Sequence, residues 1–206
     1  VPWGMVSASP HNVLSTPLSY LKGQPFAPSG YLHGQPRMFG LGLTHLSGVG
    51  CPDLGMPVLA ATTGEVRPSP EGYSSAYANE IAWPGYYAVE LTDAPGVRLE
   101  ATAATRIAAL RFHFPARQSG DANLLIDVGQ GPSWRGGQGQ VRILSPTEIE
   151  GSAETGLFCF KLNRQTIHFV ARFSRAADEQ GTWKDGQLSR ALEQTGEAGA
   201  FFRYRT

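Results

Sequence analysis

Apolar and polar residues alternate with a period of two along much of this chain, in short runs cut by Gly, Pro or Asp. In "RIAALRFHF" the side chains of Ile107, Ala109, Arg111 and His113 fall on one face, and Ala108, Leu110, Phe112 and Phe114 on the other. That alternation marks a strand with one face buried. "IHFVARF" repeats it, with Ile167, Phe169, Ala171 and Phe173 opposite His168, Val170 and Arg172. "YYAVEL" (86–91), the long run "VRLEATAATRIAALRFHF" (97–114), "NLLIDVG" (123–129), "QVRIL" (140–144) and "LFCFKL" (157–162) read as further strand segments. Helical periodicity is thin. "RAADEQ" (175–180) and "QLSRALEQ" (187–194) are predicted as a turn or two of helix, the second because Leu188, Ala191 and Leu192 share a helical face. Gly186 and Gly196 keep it short. The pattern predicts an all-β fold, a large antiparallel β-sandwich with short helical turns, spanning 1–206 as one domain. Gly/Pro clusters at 23–36 and 129–139 read as long loops.

Composition narrows the function. A chain of 206 residues buries roughly 70% of its unfolded surface and needs no metal or disulfide to hold a core. Lys+Arg and Asp+Glu balance at 17 each, so the surplus of cations that meets nucleic-acid phosphates is missing and no nucleic-acid partner is expected. No apolar run reaches the roughly 18 residues of a membrane-spanning helix. Cys51 and Cys159 are too few for a disulfide framework. One bridge between them is open to the chain, although their apolar and Gly-rich surroundings suit free buried thiols.

Chemistry-bearing residues concentrate in "FGLGLTHLSGVGCPDLGMP" (39–57). A Cys51–His45 pair resembles a nucleophile and its base, but nothing nearby marks an oxyanion site, and a packed thiol beside a hydrogen-bonding histidine accounts for the same residues. His45, Cys51 and Asp53 are permitted zinc ligands at a spacing that does not favour zinc. Asp53, Glu65, Glu71, Glu80, Asp93 and Asp127 supply carboxylates without an obvious acid–base pair, and most flank turns. Asp127, before Gly129, is as well suited to anchoring a loop. Trp3, Trp83 and Trp134 adjoin Pro or Gly, and Tyr73, Tyr77, Tyr86 and Tyr87 lie close in sequence to Trp83. Flat aromatic faces suit the apolar faces of sugar rings, and they also fill sandwich cores.

Six segments together resemble the amino-terminal domain of glycoside hydrolase family 92, the calcium-dependent exo-acting α-mannosidases, often described as α-1,2-mannosidases. They are "PWGMVSASP" (2–10), "FGLGLTHLSGVGCPDLG" (39–55), "NEIAWPGYYAVEL" (79–91), "EATAATRIAALRFHFP" (100–115), "NLLIDVG" (123–129) and "HFVARFS" (168–174). His45, Ser47, Gly48, Gly50, Cys51, Asp53 and Gly55 match the most characteristic stretch, Trp3 and Met5 the opening, and Glu80, Pro84, Gly85 and Tyr86 a segment expected to turn the chain into a strand. The chain departs from the family pattern at Met56, where a second Asp is usual, and at Ala76–Tyr77–Ala78, where Ser-His-Glu is frequent.

The resemblance implies a β-sandwich packed against an (α/α)6 barrel, with the active site at their junction. It implies that the acid, the base and most of the calcium environment belong to the barrel, so no catalytic residue and no metal site are expected here. Hydrolysis in the family proceeds with inversion on mannose-containing glycans, N-glycans among them. His45, Ser47, Cys51, Asp53 and Trp3 are the implied substrate-binding residues. The chain opens inside a motif and closes on the strand-like "AFFRYRT", and is expected to be part of a larger secreted or periplasmic bacterial enzyme. A stand-alone carbohydrate-binding or structural sandwich is the alternative.

Overall fold

The structure, a computed structural model, describes residues 4–13, 23, 25–46, 53–116, 120–130, 138–155 and 164–205. Their elements follow the chain as β1 (Ser9–His11), β2 (Arg37–Met38), β3 (Gly40–Gly42), β4 (Val58–Thr63), α1 (Pro70–Tyr73), β5 (Ser75–Trp83), β6 (Tyr86–Leu91), β7 (Val97–Ala103) and β8 (Ala108–His113). Then come β9 (Ala122–Asp127), β10 (Gly139–Ser145), β11 (Glu148–Thr155), β12 (Gln165–Arg172), β13 (Glu179–Lys184), β14 (Gln187–Ser189), β15 (Glu193–Gly196) and β16 (Ala198–Tyr204). All their ladders are antiparallel.

Three sheets result. Seven strands run β1-β3-β4-β9-β16-β13-β14, four run β12-β11-β10-β15, and five run β2-β5-β6-β7-β8. The main core lies between the first sheet and the other two. Leu59, Ala61, Leu124, Ile126, Ala200 and Phe202 face Val141, Ile143 and Ile149 from the four-stranded sheet and Val89, Val97 and Leu99 from the five-stranded one. This is the sandwich that alternation predicts, and β8 and β12 expose and bury residues in the predicted phase.

The seven-stranded sheet is also apolar behind. Ala60, Leu125 and Phe201 gather there with Trp183, Tyr73 and Val66. The cover includes α1, whose first turn is set by Pro70 and by the Ser69 side chain accepting from Gly72 N at 3.1 Å. Polar residues on this back face are matched to one another. Arg203 donates to Asn123 Oδ1 (3.2 Å) and Glu179 Oε2 (2.9 Å), and Asn123 Nδ2 donates to Gly64 O (3.0 Å). Such pairing offsets the cost of taking polar atoms out of water.

Two expectations are corrected. The run 97–114 is two strands, broken at residues 104–107. The helical turns expected at 175–180 and 187–194 do not form. Asp185 and Gly186, at φ of +49° and +75°, make a two-residue hairpin turn between β13 and β14. Leu188 and Leu192 stay half exposed, at 48% and 50%, so the helical stripe has nothing to pack against. The segment 157–162 lies outside the described residues.

Trp183 depends on Gly199, its cross-strand partner. A Cβ on Gly199 would stand 2.1 Å from Trp183 Cζ2 and 2.5 Å from Ile126 O. Gly199→Ala is therefore expected to lower stability by about 1–3 kcal/mol, the usual cost of overpacking, read as a lower midpoint in urea denaturation.

Candidate functional site

His45 lies beside β1, the edge strand of the seven-stranded sheet among the described residues. β1 pairs with β3, and beyond them Ser7 N donates to Leu43 O (2.9 Å) while His45 N donates to Ser7 O (3.2 Å). The opening segment and the 39–57 motif, far apart in sequence, are thus neighbours. Thr44 joins the two described ends of the 45–55 segment. Its hydroxyl donates to Met56 O (2.8 Å) and accepts from Met56 N (3.0 Å), and Gly55 N donates to Thr44 O (3.2 Å). Met56, standing where the family usually has a second Asp, is buried in the main core.

Asp53 is buried and holds the returning limb of the loop. Its Oδ1 accepts from Leu54 N at 2.8 Å and from the Thr155 hydroxyl, and Thr155 Oγ1 also accepts from Leu54 N at 3.1 Å. Thr155 ends β11, so this bond ties the loop to the four-stranded sheet. Asp53 therefore shapes the loop, whatever else it touches.

His45 is buried against His11, a residue that sequence reasoning passed over. Their rings meet edge to face, 4.4 Å between centroids. Gly42 makes room for the pair. A Cβ there would lie 2.5 Å from His11 Nε2, 2.7 Å from His45 Nε2 and 2.4 Å from Gly55 O. His11 Nε2 and both ring nitrogens of His45 have no hydrogen-bond partner among the described residues. Burial lowers His45 to about 4, and the nearby backbone of Ser29 and Ser9 only partly opposes it. Burial and then the neighbouring His45 push His11 well below the ordinary imidazole range. Both rings are neutral near neutral pH.

A second set of polar groups continues from this edge. Asn12 donates to Leu32 O (2.9 Å) and Tyr77 Oη (3.2 Å) and accepts from Leu32 N (2.8 Å), pinning the segment after Gly30. Tyr31 and Tyr87 donate to the two oxygens of Glu80, at 2.9 and 2.7 Å. Burial, then Glu80, raises both phenols, so each stays a donor. Glu80 was among the candidate carboxylates. Asn12 and Tyr31 carry no local signal, because their contacts join segments distant in sequence.

The remaining candidates separate. Asp127 lies on the back face, where Oδ1 accepts from Gly129 N (2.8 Å) and Gln130 N (2.9 Å) and Oδ2 from Tyr73 Oη (2.8 Å). It anchors the turn after β9. Asp93 pairs with Arg37 at 2.7 Å, and Glu65 lies 3.5 Å from Arg67, both at the surface. Pro84 and Gly85 (φ +86°) form the tight link between β5 and β6, as the motif implied. Ser47, Cys51 and Trp3, together with Trp134 and Cys159, lie outside the described residues. Among the described residues no three His, Cys, Asp or Glu side chains stand together as a metal would require. The calcium implied by the resemblance finds no donor set among them.

Two buried groups give stability opposite pH dependences. A histidine whose folded pKa falls from 6.5 to about 4 contributes stability fully present above pH 6.5 and lost as pH falls through 4. This amounts to about 3 kcal/mol. Burial, opposed by Tyr73 and the Gly129 and Gln130 amides, raises Asp127 from 3.8 to about 6. Its contribution is full below 3.8 and lost as pH rises through 6. In urea titrations between pH 6.5 and 4, His45→Gln should flatten the acid loss of stability and Asp127→Asn should steepen it.

The sequence matches the glycosyl hydrolase family 92 N-terminal domain over residues 1–206. Among solved structures, the chain resembles the family GH92 α-mannosidase BT3965 from Bacteroides thetaiotaomicron, with a TM-score of 0.84 and 28% identity over 100% of this chain and 28% of that one. BT3965 has also been solved in complex with mannoimidazole. The GH92 glycosyl hydrolase ccman5 aligns with a TM-score of 0.80 and 25% identity, over 98% of this chain and 27% of its own. The inverting mannosidase BT2199 from Bacteroides thetaiotaomicron, 19% identical with a TM-score of 0.78, shares the fold. No curated protein matches. The chain spans about 28% of the length of BT3965. By its sequence profile along all 206 residues and by its three-sheet sandwich, this chain belongs to the N-terminal domain family of the family 92 glycosyl hydrolases.

Proposed function

We propose that this chain is the N-terminal β-sandwich of an exo-acting α-mannosidase, and that the loop at residues 45–55 forms one wall of its sugar site. The observation that carries the reading is that both ends of this segment are held. The Thr44 hydroxyl locks its base to Met56, and Asp53 locks its returning limb to Thr155. Bonds at both ends fix where the segment departs and where it returns, and preorganisation is what a polar ligand repays. Sequence-profile membership in the family supports the mannosidase assignment, as does the mannoimidazole complex of BT3965.

In this reading the general acid, the base and the calcium come from a helical (α/α)6 domain outside these 206 residues. The reaction is an inverting attack of water on an α-1,2-linked mannoside, on mannose-containing glycans such as N-glycans, by a secreted or periplasmic bacterial enzyme. His45, Ser47, Cys51, Asp53 and Trp3 belong to the wall, His45 through its packing on His11 and Asp53 by holding the loop. Membership in the family and a chain that spans only about 28% of BT3965 favour this division of labour over a free-standing sugar-binding or structural sandwich.

The intact protein is expected to release mannose from α-1,2-mannobiose. Asp53→Ala should cut kcat/KM by roughly tenfold or more, the effect of about 1–3 kcal/mol for a stranded polar group, while melting within a few degrees of wild type. Residues 1–206 alone should release none. Turnover by that piece would sink the division of labour, and an unchanged kcat/KM in the variant would remove the loop from the site.

A further inference from the structure

The outward face of the five-stranded sheet carries an aromatic and polar array that the mannosidase reading does not use. Register places Trp83 beside Tyr86, at the Pro84–Gly85 turn, and Glu100 beside Arg111. The Trp83 and Tyr86 rings are 5.8 Å apart between centroids and 24° from parallel. One indole face rests on the tyrosine, yet Trp83 remains 61% exposed, so the other is open. A lone exposed aromatic means little, but this one is set among ordered polar groups. Tyr86 donates to Glu100 Oε1 at 2.5 Å, Arg111 donates to Glu100 Oε2 at 3.4 Å, and Arg98 stands 3.8 Å from Glu100 and 3.5 Å from Glu90. Asn79 Nδ2 donates to Glu90 Oε2 at 2.6 Å, and Thr102 Oγ1 to Gly85 O at 2.6 Å. The Tyr86 hydroxyl, with Arg111 and Arg98, holds the Glu100 carboxyl below its ordinary range.

We propose that this face binds a neutral polysaccharide, with the open indole face of Trp83 against the C–H face of a hexopyranose and Glu100 and Arg111 receiving its hydroxyls. Two acids and two bases, Glu90, Glu100, Arg98 and Arg111, balance each other, which suits a ligand without charge. A protein partner fits less well. The centre of a protein interface is depleted of charged side chains, and covering these four with a dry surface would cost their hydration. Sugar hydroxyls replace that hydration bond for bond, and a C–H face needs only a flat apolar partner. The polar side chains are already held by each other, so little ordering is left for the ligand to drive.

The test is native gel electrophoresis of the intact protein with and without α-mannan in the gel. The choice of α-mannan rests on the mannosidase reading, but the difference in mobility between wild type and Trp83→Ala reports this face and mannose release reports that activity, so either can fail alone. The wild type should be retarded. Trp83→Ala should weaken binding about tenfold, Trp83→Phe should keep part of it, and Arg111→Ala should weaken it severalfold at an unchanged melting temperature. The exposed Arg111 side chain makes that variant the safeguard against misfolding. Equal retardation of Trp83→Ala and wild type, or no retardation of the wild type, would overturn the proposal. So would a change in oligomeric mass on Trp83→Ala, which would make the face a protein interface.

Discussion

The structure turns on β9, a strand buried along its whole length and on both faces. Its even-numbered residues Ala122, Leu124 and Ile126 enter the main core, and its odd-numbered ones face the other way. A strand in that position needs two covers. The four- and five-stranded sheets supply the first, and Trp183, Tyr73 and α1 contribute to the second. The polar residues of β9 then require partners in the dark. Asn123 finds Arg203, and Asp127 finds Tyr73 and two backbone amides. Breaking such a bond leaves a buried group stranded, which costs more than the bond itself contributes.

At the far edge of the same sheet the economy is different. The seven-stranded sheet ends in β1, a strand of only three residues, and short edges are one way a sheet avoids pairing with another molecule. Among the described residues, side chains add to the backbone bonds around this edge, where Asn12 N and Val13 N also donate to Gly30 O. Asn12 bonds Leu32 much as a backbone group would, and Thr44 serves both backbone groups of Met56. The two described ends of the 45–55 segment are therefore held by a rigid frame.

The fold was legible because alternation survives in the sequence wherever one sheet face meets the core. β8 and β12 follow it residue by residue. The helical turns were misread where two signals competed. Leu188, Ala191 and Leu192 carry helical spacing, whereas Asp185–Gly186 carries the hairpin, and a local turn with its strand pairing outweighed a stripe that nothing covers. The candidate site was legible in part. His45 and Asp53 stand out by residue type and glycine surroundings, and both are buried in the loop frame. His11, Asn12 and Tyr31 were hidden because their role depends on β1 crossing to β3 and on Asn12 reaching Leu32, contacts that no local pattern encodes. Asp127 kept its plainer reading, since its neighbours Gly129 and Gln130 are the amides it binds.

The strand order carries a consequence for how the chain is made. β16 lies between β9 and β13 in the middle of the seven-stranded sheet, although it follows all the other described strands in sequence. As the polypeptide emerges from the ribosome, β9 can pair with β4 on one side only, and its other edge waits for residues 198–204. An apolar strand with an open edge is a template for the wrong neighbour, and closing it late means closing a loop of long sequence separation. The centre of this sandwich is thus completed only once β16 has emerged, and the nascent domain is most vulnerable to misassembly just before that strand arrives.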